Sequence, residues 1–312
     1  MSISQVPSVN LTHYVSGDRN DQLRFIEETG NAFSTIGFVA LSGHYLDQEL
    51  TDNLYRVVKE FFALPEKTKK NYEIVGLAGQ RGYTSFGKET AKGFKVPDLK
   101  EFWHFGQYLD PDGIYPPNCM VKELPEFNTY GQLAFEALEN TALELLRALS
   151  EYLELPKHYF DEFIIGGNSI LRPIHYPPVG QNAQNAVRAA AHGDINLITL
   201  LMGAHGKGLQ VQRLDGEWID AIAAPDELMI NVGDMLSRHT NNRLKSTIHR
   251  VINPERTQNA SRYSIPFFMH PKRDMPLNVL PHCISEEHPK RYEDITAGEF
   301  LNERLRELGL MK

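Results

Sequence analysis

The residues with the plainest chemical potential lie between Ala191 and Phe268. His192-Gly193-Asp194 is followed by the apolar run Ile195 to Met202, His249 sits in the β-branched stretch Thr247 to Ile252, and Arg262 and Ser264 stand two apart in Ser261 to Met269. Side chains two apart on a strand share a face, so His192 and Asp194 at the head of a strand would aim an imidazole and a carboxylate the same way. A second imidazole from His249 on a neighbouring strand completes two nitrogens and one oxygen on one side of a cation. That donor set suits a non-haem ferrous ion with its opposite face open. Arg262 and Ser264 repeat the same spacing, and a guanidinium fork beside a hydroxyl suits a carboxylate.

Elements of regular spacing must carry these groups. The turn-like residues Asn253 to Asn259 predict that Thr247 to Ile252 and Ser261 to Met269 pair as an antiparallel hairpin. Asp215-Gly216 between Leu209 to Leu214 and Glu217 to Asp220 is a two-residue hairpin signal, and Leu228 to Val232 reads as a further strand. Several short strands with tight turns and no intervening helix predict a mainly β core, an antiparallel double-stranded β-helix or jelly roll. The front of the chain is helical. Periodicity and flanking signals place helices at Asp21 to Thr35, with Leu23, Ile26 and Phe33 inward, and at Asp47 to Phe62. A long helix over Phe127 to Leu153 buries a stripe of Leu133, Leu138, Leu145, Leu146 and Leu149, and a last one covers Thr296 to Leu310. The expected organisation is 1–125, an N-terminal region packed on the core; 126–165, a supporting helix; 166–285, the jelly roll; and 286–312, a helical tail. All four form one structural unit.

Composition narrows the function classes. A chain of 312 residues can bury about 75% of its unfolded surface. Forty acidic against 32 basic residues, a net charge of −8 with no basic stripe, argues against nucleic acid as a partner. Two distant cysteines, Cys119 and Cys283, make no disulfide framework, and neither a signal peptide nor an 18-residue apolar run is visible. The expectation is a cytoplasmic protein without a membrane partner, a monomer or weak oligomer. Of the 12 histidines, His44 and His104 read as structural, and His205 and His239 as turn or surface residues. Gly206-Lys207-Gly208 is no phosphate loop, because the Lys precedes Gly rather than Ser or Thr.

His192-x-Asp194, His249 and Arg262-x-Ser264, in that order, resemble the 2-oxoglutarate/Fe(II)-dependent dioxygenases, in the group that looks like isopenicillin N synthase and the plant flavonoid and gibberellin oxygenases. The likeness extends to Ile36-Gly37-Phe38, Phe61 to Lys67, Arg81-Gly82-Tyr83 and Asp98 to Trp103. It implies Fe(II) on His192, Asp194 and His249, with O2 and 2-oxoglutarate as co-substrates and Arg262, Ser264 and Tyr176 around the distal carboxylate of the keto acid. Plant members often carry Asn two residues before that Tyr, where this chain has Ile174. By family position Arg81, Trp103, Phe267, Met269 and His270 would line the pocket for a small-molecule substrate, with specificity expected in the loops Gly79 to Lys95 and Gly180 to Arg188 and in the tail. The implied reaction is hydroxylation of a C–H bond with release of succinate and CO2, and Asp194 argues against halogenation. The alternatives are an Fe(II)/O2 cyclase or desaturase that dispenses with 2-oxoglutarate, and a non-catalytic metal-binding jelly roll, which the lack of a fourth Cys or His ligand disfavours.

Overall fold

The computed structural model describes residues 5–74, 76–77, 80–88, 100–110, 113–178, 189–203, 208–252 and 261–307. The chain opens with β1 (Ser8–Asn10), α1 (Thr12–Val15), α2 (Arg19–Thr35), β2 (Phe38–Ser42), α3 (Gln48–Ala63) and α4 (Glu66–Lys70). Next come β3 (Gly82–Thr84), β4 (Glu101–His104), α5 (Pro125–Tyr152) and α6 (Asp161–Ile164). The strand-rich part holds β5 (Ile170–Leu171), β6 (Ile174–Tyr176), β7 (Ala189–His192), β8 (Ile198–Met202), β9 (Leu209–Gln212), β10 (Trp218–Asp220), β11 (Leu228–Val232), α7 (Asp234–His239), β12 (His249–Val251) and β13 (Arg262–Met269). The tail adds α8 (Ala297–Glu307).

Among the described residues the strands form two sheets. The larger runs β1-β2-β11-β8-β13-β6-β4-β3, with β5 also paired to β13, and the smaller runs β10-β9-β12-β7. This is the jelly-roll core with flanking helices that the strand spacing predicts. Period-2 alternation gives each face of the large sheet its own duty. Ile198, Leu200, Met202, Ile230, Ile265, Phe267 and Met269 point to the helical layer and join Phe61, Phe127, Leu138 and Leu145 of α3 and α5 in one core. On the opposite face Phe38, Ala40 and Met229 pack against Leu209 and Val211 of the small sheet. The helices hold because their apolar stripes meet that first face. At the start of α3 the Asp47 side chain accepts from the Leu50 amide at 2.8 Å, a cap worth about 1 kcal/mol.

The structure corrects several local expectations. β12 and β13 do not form a hairpin: β12 pairs with β7 and β9, whereas β13 pairs with β5, β6 and β8. The connection crosses from one sheet of the sandwich to the other, so neighbours in sequence are not neighbours in pairing. The expected strand head at His192 is instead a strand end, with Asp194 beyond it on the link to β8. A short helix, α7, interrupts the strands after β11. His239 at its end is buried, not a surface residue, and its Nε2 lies 2.9 Å from the Tyr159 hydroxyl. Leu23 and Leu133 are exposed, because the inward stripes of α2 and α5 fall on Phe25, Ile26, Phe33 and on Phe135, Leu138, Ala142 instead. The β9–β10 hairpin forms at Asp215-Gly216, but its loop has three residues, Leu214 to Gly216, rather than two, closed by the Arg213 amide donating to the Glu217 carbonyl at 2.8 Å, with Gly216 at φ 89°. The calls on His205, on residues 180–188 and on residues 79 and 89–95 of the segment from Gly79 to Lys95 lie outside the described residues, and the described part of that segment includes β3.

The N-terminal region is locked to the core by one buried polar knot. Glu101 of β4 accepts from Lys69 Nζ at 2.7 Å and from the Tyr83 hydroxyl at 2.5 Å, and its other oxygen lies 2.8 Å from His175 Nδ1 on β6. Burial pushes the Glu101 carboxyl up, but the hydrogen bonds from His175, Lys69 and Tyr83 outweigh that and hold it below its usual value. Removing one member of a buried pair strands the other charge. Lys69→Met is therefore expected to cost about 3–5 kcal/mol in urea unfolding at neutral pH. Because the folded-state carboxyl is depressed, the contribution of Glu101 is present at neutral pH and lost as the pH falls below the ordinary carboxylate range. The acid side of the stability profile should accordingly be steeper in the native protein than in Lys69→Met. An unchanged unfolding midpoint would contradict the role of the knot.

Candidate metal and co-substrate site

Antiparallel pairing sets His249 of β12 directly opposite His192 of β7, with ring centroids 4.4 Å apart. Gly193 then carries the chain off the small sheet, and Asp194 Oδ1 comes to lie 3.8 Å from Nε2 of each histidine. The three donor atoms all fall within 4.8 Å of one another, the one His/Cys/Asp/Glu grouping of this kind among the described residues. His-x-Asp thus works as a strand end and a sheet-to-sheet link rather than as two positions of one strand.

Each donor is oriented from behind. His192 Nδ1 lies 2.7 Å from the Ala190 carbonyl and His249 Nδ1 3.2 Å from that of Thr247. A carbonyl only accepts, so both Nδ1 atoms carry the proton and both Nε2 lone pairs face Asp194. Asp194 is anchored through its other oxygen, where Oδ2 accepts from the Thr199 hydroxyl at 2.6 Å and from Asn231 Nδ2 at 2.8 Å. Burial alone would raise the Asp194 carboxyl. Positive charge on His249 and His192 when they are protonated, together with these hydrogen bonds, outweighs it and holds the group below the usual carboxylate range. Burial pushes His249 down, which favours the neutral imidazole that a metal needs. Two nitrogens and one oxygen with inner lone pairs directed together fit Fe(II).

Along the large sheet from Asp194, Arg262 of β13 stands opposite Tyr176 of β6, and Ser264 opposite Ile174. Burial lowers the Arg262 guanidinium, and no ion-pair partner for it is found among the described residues. Gly208 turns through φ 138°, and a Cβ there would stand 2.7 Å from Arg262 Nη1, so the backbone yields to the guanidinium. Tyr55 of α3 reaches the same region with a buried hydroxyl that has no hydrogen-bond partner. A fork of donors lined by phenols and a serine fits the distal carboxylate of a dicarboxylic acid. Ile174 itself is buried with Phe102 and Tyr176 and offers no polar atom.

The substrate-pocket expectations fare unevenly. Phe267 and Met269 are fully buried in the core on the helix side of β13, Phe267 edge-on to Phe135 at 5.1 Å, because odd-numbered positions of this strand face away from the site. Trp103 is buried among Phe61, Phe105 and Phe127 for the same reason of parity on β4. Arg81 is buried as well, donating to the carbonyls of Pro116 at 3.0 Å and Gln80 at 2.7 Å. His270 alone of the five stays by the triad. Its Nδ1 is buried without a partner, and burial pushes the ring down to about 4, against the Asp194 charge and with that of Arg172.

Thr199 and Asn231 were not singled out from the sequence, although each is a polar residue inside an apolar strand, the pattern that marks a buried partner. His104, read as structural, is buried on the inner side of β4 next to Arg172, whose Nε donates to His104 Nε2.

A mainly β sandwich with a His-Asp-His cluster, buried at Asp194 and His249 and exposed at His192, and a cationic recess fits a mononuclear non-haem metal oxygenase. Family models match twice, one described as the N-terminal region of the non-haem dioxygenase in morphine synthesis over residues 6–126 and one as the 2OG-Fe(II) oxygenase superfamily over residues 167–271. The proline hydroxylase buaE of Petromyces alliaceus is 31% identical, with 96% of this chain and 98% of that protein covered. A crystal structure of a 2OG-Fe(II) oxygenase family protein from Caulobacter crescentus superposes with a TM-score of 0.89 at 43% identity, covering 98% and 100% of the two chains. A Neurospora crassa oxygenase solved in complex with alpha-KG gives a TM-score of 0.86 at 28% identity, covering 98% of each chain. The chain belongs to the 2-oxoglutarate/Fe(II)-dependent oxygenase superfamily, in its isopenicillin N synthase-like group. It is an oxidoreductase that uses Fe(II), O2 and 2-oxoglutarate.

The hydrogen bonds behind Asp194 make a measurable claim. Partners of this kind typically carry 10- to 100-fold in metal affinity. Asn231→Ala is expected to weaken Co(II) or Fe(II) binding by about that factor, read by titration under anaerobic conditions. Native affinity in Asn231→Ala would show that Asp194 needs no such support.

Proposed function

We propose that His192, Asp194 and His249 hold the iron, that Arg262, Ser264 and Tyr176 hold the distal carboxylate of 2-oxoglutarate, and that the enzyme hydroxylates a small molecule at a C–H bond. The observation that carries this reading is the orientation of the triad: both Nδ1 atoms and Asp194 Oδ2 are engaged elsewhere, which turns Nε2, Nε2 and Oδ1 toward one point. When bound, Fe(II) and 2-oxoglutarate supply O2 activation coupled to loss of CO2, leaving succinate and an oxidant strong enough for an unactivated C–H bond. The protein's own part is positional. The triad would hold the ion with three donor atoms that lie within 4.8 Å of one another. Arg262 fixes the far end of the keto acid by charge-assisted hydrogen bonds worth about 1.5–3 kcal/mol. The apolar residues of the two sheets bury the Asp194 and His249 side of the centre, while His192 stands on its exposed side.

The segments 1–125, 126–165, 166–285 and 286–312 act in this reading as one unit, supported by the core that joins Phe61, Phe127, Ile198 and Phe300. Among the described residues no helix is long and apolar enough to cross a membrane. We place the enzyme in the cytoplasm as a monomer or weak oligomer without a nucleic-acid partner, on its acidic charge and two unpaired cysteines.

Three substitutions test the assignment. Asp194→Ala and His249→Ala are expected to abolish succinate formation. Arg262→Ala should raise the 2-oxoglutarate KM by about 10- to 100-fold, the loss of one such ion pair. Substrate-stimulated release of CO2 from 2-oxoglutarate is the readout, and full activity in any of the three would overturn the role given to that residue.

A further inference from the structure

One enclosed polar atom close to Arg262 is matched by nothing in the protein. Tyr55 lies on α3, one residue past the core position Leu54, and its ring packs against the main apolar core while its hydroxyl is buried and makes no hydrogen bond. The hydroxyl ends over Gly203, where a Cβ would collide with it and where the backbone turns through φ 79°. Gly203 directly follows β8, one step past Met202, whose cross-strand partner is Ile265 of β13. The next step along that antiparallel pair runs from Gly203 on one chain segment to Ser264 on the other, and Arg262 stands two residues further along β13. The guanidinium is likewise admitted by a glycine, since a Cβ on Gly208 would stand 2.7 Å from Arg262 Nη1. Gly203 and Gly208 thus leave room, one for a phenol and the other for a guanidinium. The two groups also act on each other electrostatically, which places them in one neighbourhood.

From this placement we infer that the Tyr55 hydroxyl is a further donor to the distal carboxylate of 2-oxoglutarate, so that the co-substrate is held from the helical N-terminal region as well as from the jelly roll. The inference deepens the assignment of Arg262 and Ser264 above and rests on it. Donor counting leaves a place for the phenol. A carboxylate accepts at about four lone-pair sites, of which a guanidinium fork matches two and a serine hydroxyl one. Burial pushes the Tyr55 hydroxyl up, against the opposing charge of Arg262, so it keeps its proton and donates at neutral pH. A purely structural role accounts for less. Phenylalanine would fill the core side of this position equally well, with no oxygen to admit over Gly203. A buried hydroxyl without a partner costs about as much as a lost hydrogen bond, a cost that an anionic ligand beside Arg262 removes.

The test uses the full chain loaded with Mn(II), with 2-oxoglutarate and oxalate titrated separately by calorimetry into the wild type, Tyr55→Phe and Arg262→Ala. Oxalate can chelate a metal ion through two oxygens but has no distal carboxylate to offer Arg262 or Tyr55. Tyr55→Phe is expected to bind 2-oxoglutarate about 10- to 100-fold more weakly, the range of one hydrogen bond to a charged group, and to bind oxalate as the wild type does. Before ligand is added, Tyr55→Phe should melt at or above the wild-type temperature, because it lacks a buried hydroxyl that nothing matches. Unchanged affinity for 2-oxoglutarate in Tyr55→Phe, or an equal loss for both ligands, would overturn the inference. If Tyr55→Phe fails to fold, Tyr55→Met is read against the same two ligands and decides in the same way. A wild type that takes up no 2-oxoglutarate, or an Arg262→Ala that binds it at full strength, would instead bring down the site assignment on which the inference stands.

Discussion

The structure depends on how Asp194 is shared between two sheets. Its Oδ2 belongs to the large sheet, fixed by Thr199 of β8 and Asn231 of β11, while its Oδ1 faces histidines that belong to the small one. The three donors converge only if the two sheets keep their separation and relative shift. Apolar packing maintains that spacing, with Phe38, Ala40 and Met229 pressed on Leu209 and Val211, and with Phe38 edge-on to the His249 ring at 5.5 Å. A buried carboxylate is costly to desolvate, so its four neighbours are a condition of burying it at all and not a refinement added to the site.

The same alternation that builds the sandwich divides β13 into two functions. Its even positions Arg262, Ser264 and Phe268 lie on the face shared with Tyr176, Thr199 and Arg172, and its odd positions Ile265, Phe267 and Met269 fill the core under α5. A one-residue slip would exchange the two sets, burying the arginine among apolar side chains and emptying the core. The pairing of β13 with β8 over five residues, Ile265 to Met269, guards against that slip. Register in this strand therefore protects stability and function together.

How much of this was legible in the sequence follows from which features are local. The identities and order of His192, Asp194, His249, Arg262 and Ser264, the helices α3 and α5 and the β9–β10 turn rest on spacing within a few residues, and all were readable. The pairing of β12 with β7 was not, because it joins segments more than fifty residues apart and local turn chemistry favoured a hairpin with β13 instead. The pocket residues failed on parity. Trp103, Phe267 and Met269 are large and lie close in sequence to the site, but the face each takes is set by register, which emerges only when the sheet is assembled. Arg81 misled differently, since a buried arginine that donates to backbone carbonyls looks the same in sequence as one that awaits a ligand. Thr199 and Asn231 did leave a trace, a polar residue inside an apolar strand, that composition alone does not weigh.

The position of β4 changes how the N-terminal region should be understood. Residues 6–126 match a family model of their own, yet their strands β3 and β4 extend the large sheet beside β6, with Glu101 opposite His175 and Phe102 opposite Ile174. The knot at Glu101 sets that register from the helix side, through Lys69, Tyr83 and His175. On the inner side the same strand delivers Phe102 and His104 to Arg172. The residues proposed for the metal and for the keto acid come from the strand-rich half, with Tyr55 of α3 reaching in from the N-terminal region, while the surroundings of Arg172 are built from both halves.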